Sequence, residues 1–292
     1  MRLVYSLIFG AALSCSAPGE ILTHVGSDQN HFEKVSFLPE NNYDKTKTYY
    51  SAGEVTEEDF DAVLAAAEEI YGPIVESFGA RLIVFGDFES PTVNAYASQN
   101  GNEWSVNFYG GLAKHPEMSV PGFALVVCHE LFHHLGGYNF YSDSPWKASI
   151  EGQSDYGAAA SCARKMFDQS SPLRIWGRDL MKRKKTPKEP GQKTCAGFYG
   201  IDKEICEITL EGGLSLGRVL AELNSEKAPS YSTPSRVVVK KTMESHPDSQ
   251  CRTDTYLAGA LCNKTWNDSL IPRNKSEADK VSCEKPKCWY KS

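Results

Sequence analysis

Apolar and polar positions along the chain alternate in two rhythms, and the change of rhythm marks the elements. In "TEEDFDAVLAAAEEIYGPIVESF" (Thr56–Phe78) apolar residues recur at helical spacing behind a threonine and three acids. Threonine at a helix start accepts a hydrogen bond from a free backbone N–H, and acids suit the positive end of the dipole. Gly72-Pro73 predicts a break in that helix, because proline lacks the N–H that the next turn needs. "RLIVFGDF" then reads as a strand, and "TVNAYAS" and "WSVNFYG" as two more, joined by "QNGNE" as a hairpin around Asn100-Gly101. "PGFALVVCHELFHHL" reads as a helix of about four turns, entered through Pro121 and ended by Gly136-Gly137. A second helix is expected over Ser149–Phe167, "SIEGQSDYGAAASCARKMF". Farther on, "LSLGRVLAEL" and "SQCRTDTYLAGALC" read as helical, while the residues from Asn263 onward are polar and read as a stapled tail.

These elements predict an α+β fold. A small, mostly antiparallel sheet packs on the Pro121–Leu135 helix, and the Ser149–Phe167 helix closes from the other side. Residues 20–50 are polar and read as an irregular arm. The chain shows neither internal repeats nor a linker that cuts it in two. The expected organisation is a leader over 1–14, a mature arm over 15–50, a catalytic core over 51–170, and a helical, cysteine-containing part over 171–292 that completes a cleft.

The leader rests on Arg2, the apolar run "LVYSLIFGAAL" and the small-residue exit "SCSAPGE". That run is too short for a permanent membrane span. Cys15 follows "ALS", which resembles a lipoprotein box with Leu13 displaced by one place; "SCSA" also suits an ordinary signal-peptidase cut. Either reading sends the chain out of the cytoplasm, as a periplasmic or envelope lipoprotein anchored through Cys15 or as a secreted protein. Cysteine usage agrees with export. Of nine cysteines, removing Cys15 leaves an even set: Cys128, Cys162, Cys195, Cys206, Cys251, Cys262, Cys283 and Cys288. Such a set predicts up to four disulfides, with connectivity open. A cysteine zinc cluster is disfavoured, since no C-x-x-C pair occurs. The net charge of −6 argues against nucleic acid as the main partner, and the basic run Met181–Pro190 is short and proline-broken.

Chemistry concentrates in "HELFH". His129 and His133 are four residues apart, so on a helix they lie one turn apart on one face. Two imidazoles so placed can share a zinc ion, and Glu130 beside them can take a proton from a water in the metal's open position. The bland alternative is a helix with satisfied core histidines. A third ligand separates the two. The position six residues after His133 is Asn139, which excludes a third histidine there. "EGQSD" supplies Glu151, 18 residues beyond His133 (151 − 133), and Asp155 one helical turn later. Glu151 can bind the metal while Asp155 accepts the free ring N–H of a ligand histidine, His129. His134 and Cys128 each sit one residue off the ligand face and read as structural, Cys128 as core or disulfide.

"HELFH" followed by "EGQSD" resembles the gluzincin metallopeptidases. The spacing is similar to the thermolysin type, and the wider arrangement to the HtpX and CAAX-prenyl-protease-like family. "VNAYAS", "VNFYGGLA" and "ESHPDSQCRTD" resemble further stretches of that family's pattern, from about Thr92 to Asp254. The resemblance implies a zincin-like fold, one Zn2+ held by His129, His133 and Glu151, Glu130 as general base, and His246 and Arg252 near the site. Either of the last two is implied to stabilise the oxyanion of a peptide carbonyl. Ser154 departs from the family's alanine, the connection from His133 to Glu151 is short, and the family's membrane helices are missing, which puts a membrane-protein substrate in doubt. "WSVNFYG" is expected either as an edge strand that takes a peptide by strand addition or as an interior strand. The reading is therefore an exported zinc endopeptidase acting on peptide or protein. Its rivals are a non-catalytic zinc-binding module and a disulfide-stapled surface binding protein without metal.

Overall fold

In the computed structural model of the chain, the described residues are 34–41, 53–168, 171, 173, 195–267 and 270–292. The leader, Cys15 and the basic run Met181–Pro190 lie outside them. Within them the protein is α+β. Strands β1 (Lys34–Ser36), β2 (Arg81–Asp87), β3 (Ala95–Asn100) and β4 (Glu103–Tyr109) form a mixed sheet of order β1-β3-β4-β2. The β1–β3 and β3–β4 pairings are antiparallel, and β2–β4 is parallel. The β3–β4 hairpin turns at Gly101, whose φ of +60° suits a residue without Cβ.

Helix α1 (Glu57–Ser77) begins at a full capping box. Thr56 Oγ1 accepts from Asp59 N, and the Asp59 carboxylate accepts from Thr56 N. The helix runs through Pro73, contrary to the break expected there. Pro73 and the residue four before it, Glu69, are both exposed, so the carbonyl left without a donor meets water. The buried side of α1 packs on the sheet and on α3, where Phe60 stacks on Phe123 at 4.9 Å.

After the short α2 (Gly110–Ala113) comes α3 (Val120–Leu135), capped by Ser119 Oγ on Gly122 N and buried along all 16 of its residues. A helix apolar all round belongs in the middle of a core, and α3 is that middle. The expected second helix exists but is not uniform. It comprises α4 (Glu151–Gly157), a π-helical turn (Ala158–Cys162) and α5 (Ala163–Met166). Gly157 lets the Phe132 ring of α3 lie against the α4 backbone, where a Cβ would clash.

Three more helices complete the described fold: α6 (Gly200–Leu223), α7 (Ser249–Ala260) and α8 (Lys275–Val281). All eight expected cysteines pair, as Cys128–Cys162, Cys195–Cys206, Cys251–Cys288 and Cys262–Cys283. Cys128–Cys162 ties α3 to the π turn, and the last two bonds fasten the polar tail to α7. One expectation about strands needs correction, and one left open is decided. Part of the "irregular" arm is strand β1, because Val35 and Phe37 find buried places against β3 that a three-residue pattern could not announce. The segment "WSVNFYG" is interior, flanked by β3 and β2, so it has no free edge for a peptide. Among the described residues no helix is long and apolar enough to cross a membrane.

Candidate metal centre

The centre is built where α3 ends and α4 begins. His133 and Ser149 grip each other twice: Ser149 N donates to His133 O at 2.9 Å, and His133 Nδ1–H donates to Ser149 O at 2.7 Å. Ser149 Oγ donates to Gly137 O and Gln153 Nε2 to Gly136 O, which fixes the start of α4 on the end of α3. Glu151, two residues past Ser149, is thereby carried over the imidazoles. Its Oε2 lies 3.3 Å from His129 Nε2 and its Oε1 3.6 Å from His133 Nε2. A tetrahedron with metal–ligand bonds of about 2.0–2.1 Å has edges of about 3.3–3.4 Å, so the first separation fits two ligands of one metal ion and the second is slightly longer. His129, Glu130 and His133 likewise bring donor atoms within 4.8 Å of one another, a group able to hold a metal ion.

Hydrogen bonding sorts the ring nitrogens. His129 Nδ1 meets Asp155 Oδ1 at 2.7 Å and His133 Nδ1 meets Ser149 O at 2.7 Å, so the proton of each neutral ring is held on Nδ1. Both Nε2 atoms are left buried without a hydrogen-bond partner, as are Glu151 Oε2 and both oxygens of Glu130. All four residues are 0% exposed. An unmet buried polar atom costs about 1–3 kcal/mol, and five around one point is a burden that a divalent cation would relieve. This donor set of imidazole nitrogens and carboxylate oxygens is one that zinc takes.

Electrostatics point the same way. Burial lowers the affinity of His129 for a proton, but the charge and hydrogen bond of Asp155 outweigh it and raise the imidazole to about 9. Burial and the charge on His129 press His133 down to about 3, so the pair carries one positive charge where a cation would sit. Burial, helped by Glu151, lifts the Glu130 carboxyl to about 8; a cation at the imidazoles would reverse that. Against burial, His246, His129 and His133 hold Glu151 well below the carboxylate range.

Asp155 is a hub. Besides His129 it receives Arg252 Nε at 2.8 Å, Arg252 Nη2 at 2.8 Å and Tyr256 Oη–H at 2.6 Å. Despite burial, the Arg252 and His129 charges take its carboxyl down to about 2. Arg252 is itself buried and locked in this fork, its Nη1 donating to Phe37 O at 2.9 Å. The short bonds of the guanidinium go to Asp155 and to main chain, with Nη2 also 4.0 Å from Glu151 Oε2, which makes it first a holder of Asp155. His246, 24% exposed, sits at the rim with Nε2 3.5 Å from Glu151 Oε2 and 2.8 Å from Ser36 O.

The structure therefore gathers His129, Glu130, His133, Glu151, Asp155, His246 and Arg252 in one place. It adds residues that the sequence reading missed, Tyr141 and Tyr256 besides the serines that hold His133. Tyr141 Oη–H donates to Glu151 Oε1 at 2.7 Å, and Tyr256 bonds Asp155. Tyr256 lies one turn after Arg252 on α7, a spacing that could have flagged it; Tyr141 sits in a connection where no periodicity speaks. Away from the centre, Cys128 pairs with Cys162, and His134 bonds Gln99 and Ser105. No protein-family model, no curated protein and no solved structure matches this chain.

Proposed function

We propose that the protein is an exported zinc-dependent endopeptidase of the gluzincin kind, resembling the HtpX and CAAX-prenyl-protease-like family, with a zincin-like core. One observation carries the reading: three buried atoms that make no hydrogen bond, His129 Nε2, His133 Nε2 and Glu151 Oε2, lie together, with the Glu130 carboxylate, which makes none either, beside them. His129, His133 and Glu151 would hold the ion. When bound, zinc supplies Lewis acidity toward a water and a peptide carbonyl.

The rest is done by the chain. Glu130, with no competing hydrogen bond, accepts the proton of the attacking water and returns it to the departing amine. Asp155 and Ser149 hold the two Nδ1 protons and so keep both Nε2 lone pairs aimed inward. Arg252 and Tyr256 keep Asp155 in place. Tyr141 and His246 flank Glu151 and would be the donors to a carbonyl oxygen that gains charge.

A second reading has its own support. The complete burial of the ligand residues suits a closed structural zinc site in a non-catalytic protein. Glu130→Gln separates the two. Metal content should stay near one ion per chain while hydrolysis of an unstructured protein such as casein falls by at least about 10³-fold. Hydrolysis at the wild-type rate in Glu130→Gln, or after chelator dialysis, refutes the peptidase; zinc-replete wild type without hydrolysis supports the closed site.

A further inference from the structure

Five residues of the N-terminal arm lie across the centre in extended form. In β1, Lys34, Val35 and Ser36 pair antiparallel with Ser98, Ala97 and Tyr96 of β3. Beyond the strand the pairing continues: Phe37 N donates to Ala95 O at 3.0 Å, and Leu38 exchanges hydrogen bonds with the Asn94 side chain through both its N–H and its carbonyl. The two carbonyls between are held by site residues. Ser36 O accepts from His246 Nε2 at 2.8 Å, and Phe37 O accepts from Arg252 Nη1 at 2.9 Å. The Phe37 ring stands edge-on to the His129 imidazole at 5.1 Å and lies under the Arg252 guanidinium at 4.3 Å. Every main-chain contact of this stretch is one that any extended polypeptide could make; particular to it are the buried Val35, Phe37 and Leu38 side chains, and Lys34, whose Nζ lies over the Tyr96 ring at 3.8 Å.

We infer that the outer edge of β3 is a groove for an extended polypeptide running antiparallel to it, and that residues 34–38 fill this groove in the structure described. The inference rests on the peptidase reading for its meaning, since it turns the closed centre into a latent one. Main-chain pairing gives such a groove affinity with little sequence demand, and the buried places now taken by Val35, Phe37 and Leu38 supply the choice. Exchange of one strand for another is reasonable here because β1 is only three residues long and the incoming strand remakes each backbone bond that the outgoing one gives up.

The test reads binding and needs no turnover. A fluorescein-labelled peptide with the sequence of Lys34–Asn41, KVSFLPEN, is titrated by anisotropy into the full chain and into Phe37→Ala. The same peptide with aspartate at the phenylalanine serves as control. Wild type should show little binding. Phe37→Ala should bind at least about tenfold more tightly, and the control peptide should lose that gain. A folded Phe37→Ala chain, judged by near-ultraviolet circular dichroism, that gains no affinity overturns the inference. Should Phe37→Ala not fold, Val35→Pro, which interrupts the pairing opposite Ala97, decides by the same readout. Failure of both variants to fold overturns the inference too, because a strand that the fold requires cannot exchange. Binding gained without any hydrolysis would keep the groove and remove the peptidase; hydrolysis by wild type with no gain in binding would do the reverse.

Discussion

His133 and His134 are neighbours in sequence, both buried on α3, yet the helix sets them about 100° apart and gives them different trades. Both ring nitrogens of His134 are used: Nδ1 meets Gln99 Nε2 at 3.0 Å, and Nε2 meets Ser105 O at 3.2 Å. Its ring stacks on Trp104 at 5.4 Å and packs on Trp146 at 5.0 Å. Burial takes its proton affinity down to about 4, so it is a neutral plate that pins α3 to the sheet. His133 has one nitrogen bonded and the other left bare, facing Glu151. Burial is common to both and distinguishes nothing. What marks a candidate ligand is the atom left over once every ordinary partner has been counted.

Alanine at each position would break or sharpen that contrast, and it carries the largest expected effect. His133→Ala should take bound zinc, measured by atomic emission on purified protein, from about one ion per chain to near none, because two ligands do not hold the ion in a structural or catalytic site. His134→Ala should keep the zinc and instead lose about 2–3 kcal/mol of stability in denaturant titrations, since it strands the Ser105 carbonyl and opens space between two tryptophans. Full zinc in His133→Ala would dissolve the distinction.

Asp155 extends the contrast one layer outward. Asp155→Asn keeps the shape but removes the charge that orients His129 and leaves the buried Arg252 without its counter-ion. Zinc affinity, measured by competition with a chromophoric chelator, should fall about 10–100-fold. An unchanged affinity would mean that His129 is oriented by packing alone.

The legible parts of the molecule are those fixed by one element's own period. His129 and His133 share a face, and Glu151 shares one with Asp155, because 3.6 residues per turn leave no choice. The α+β class and the even, disulfide-forming cysteine set were readable for the same reason, being properties of single segments or of composition. How α4 is brought over α3 was not readable, since the Ser149–His133 double grip depends on a connection that no period governs. Strand β1 was lost because three residues make no pattern, and Tyr141 because its only signal is a contact across space. The helix break expected at Pro73 failed because exposure of the Glu69 side lets water do the missing donor's work.

The smallest effect tests whether the end of α3 is braced from the tail. Lys285 is buried, with Nζ 2.6 Å from Gln153 Oε1 and facing the Tyr156, Trp289 and Tyr290 rings, while Gln153 Nε2 holds Gly136 O at the end of α3. Burial, opposed by Asp279, brings its ammonium down to about 8. An unfolded lysine keeps its proton to about 10.4, so above pH 8 the unfolded chain binds more protons than the folded one, and stability rises with pH until both forms are neutral. Between pH 8 and 9.5 the protein should therefore gain about 1–2 kcal/mol from this group. Lys285→Met should be flatter by that amount over the same interval, with its zinc content unchanged. Lys285 bonds Gln153 and not a ligand residue, so a loss of zinc in Lys285→Met would show that the geometry of the centre depends on the tail as well as on the two helices that supply its side chains.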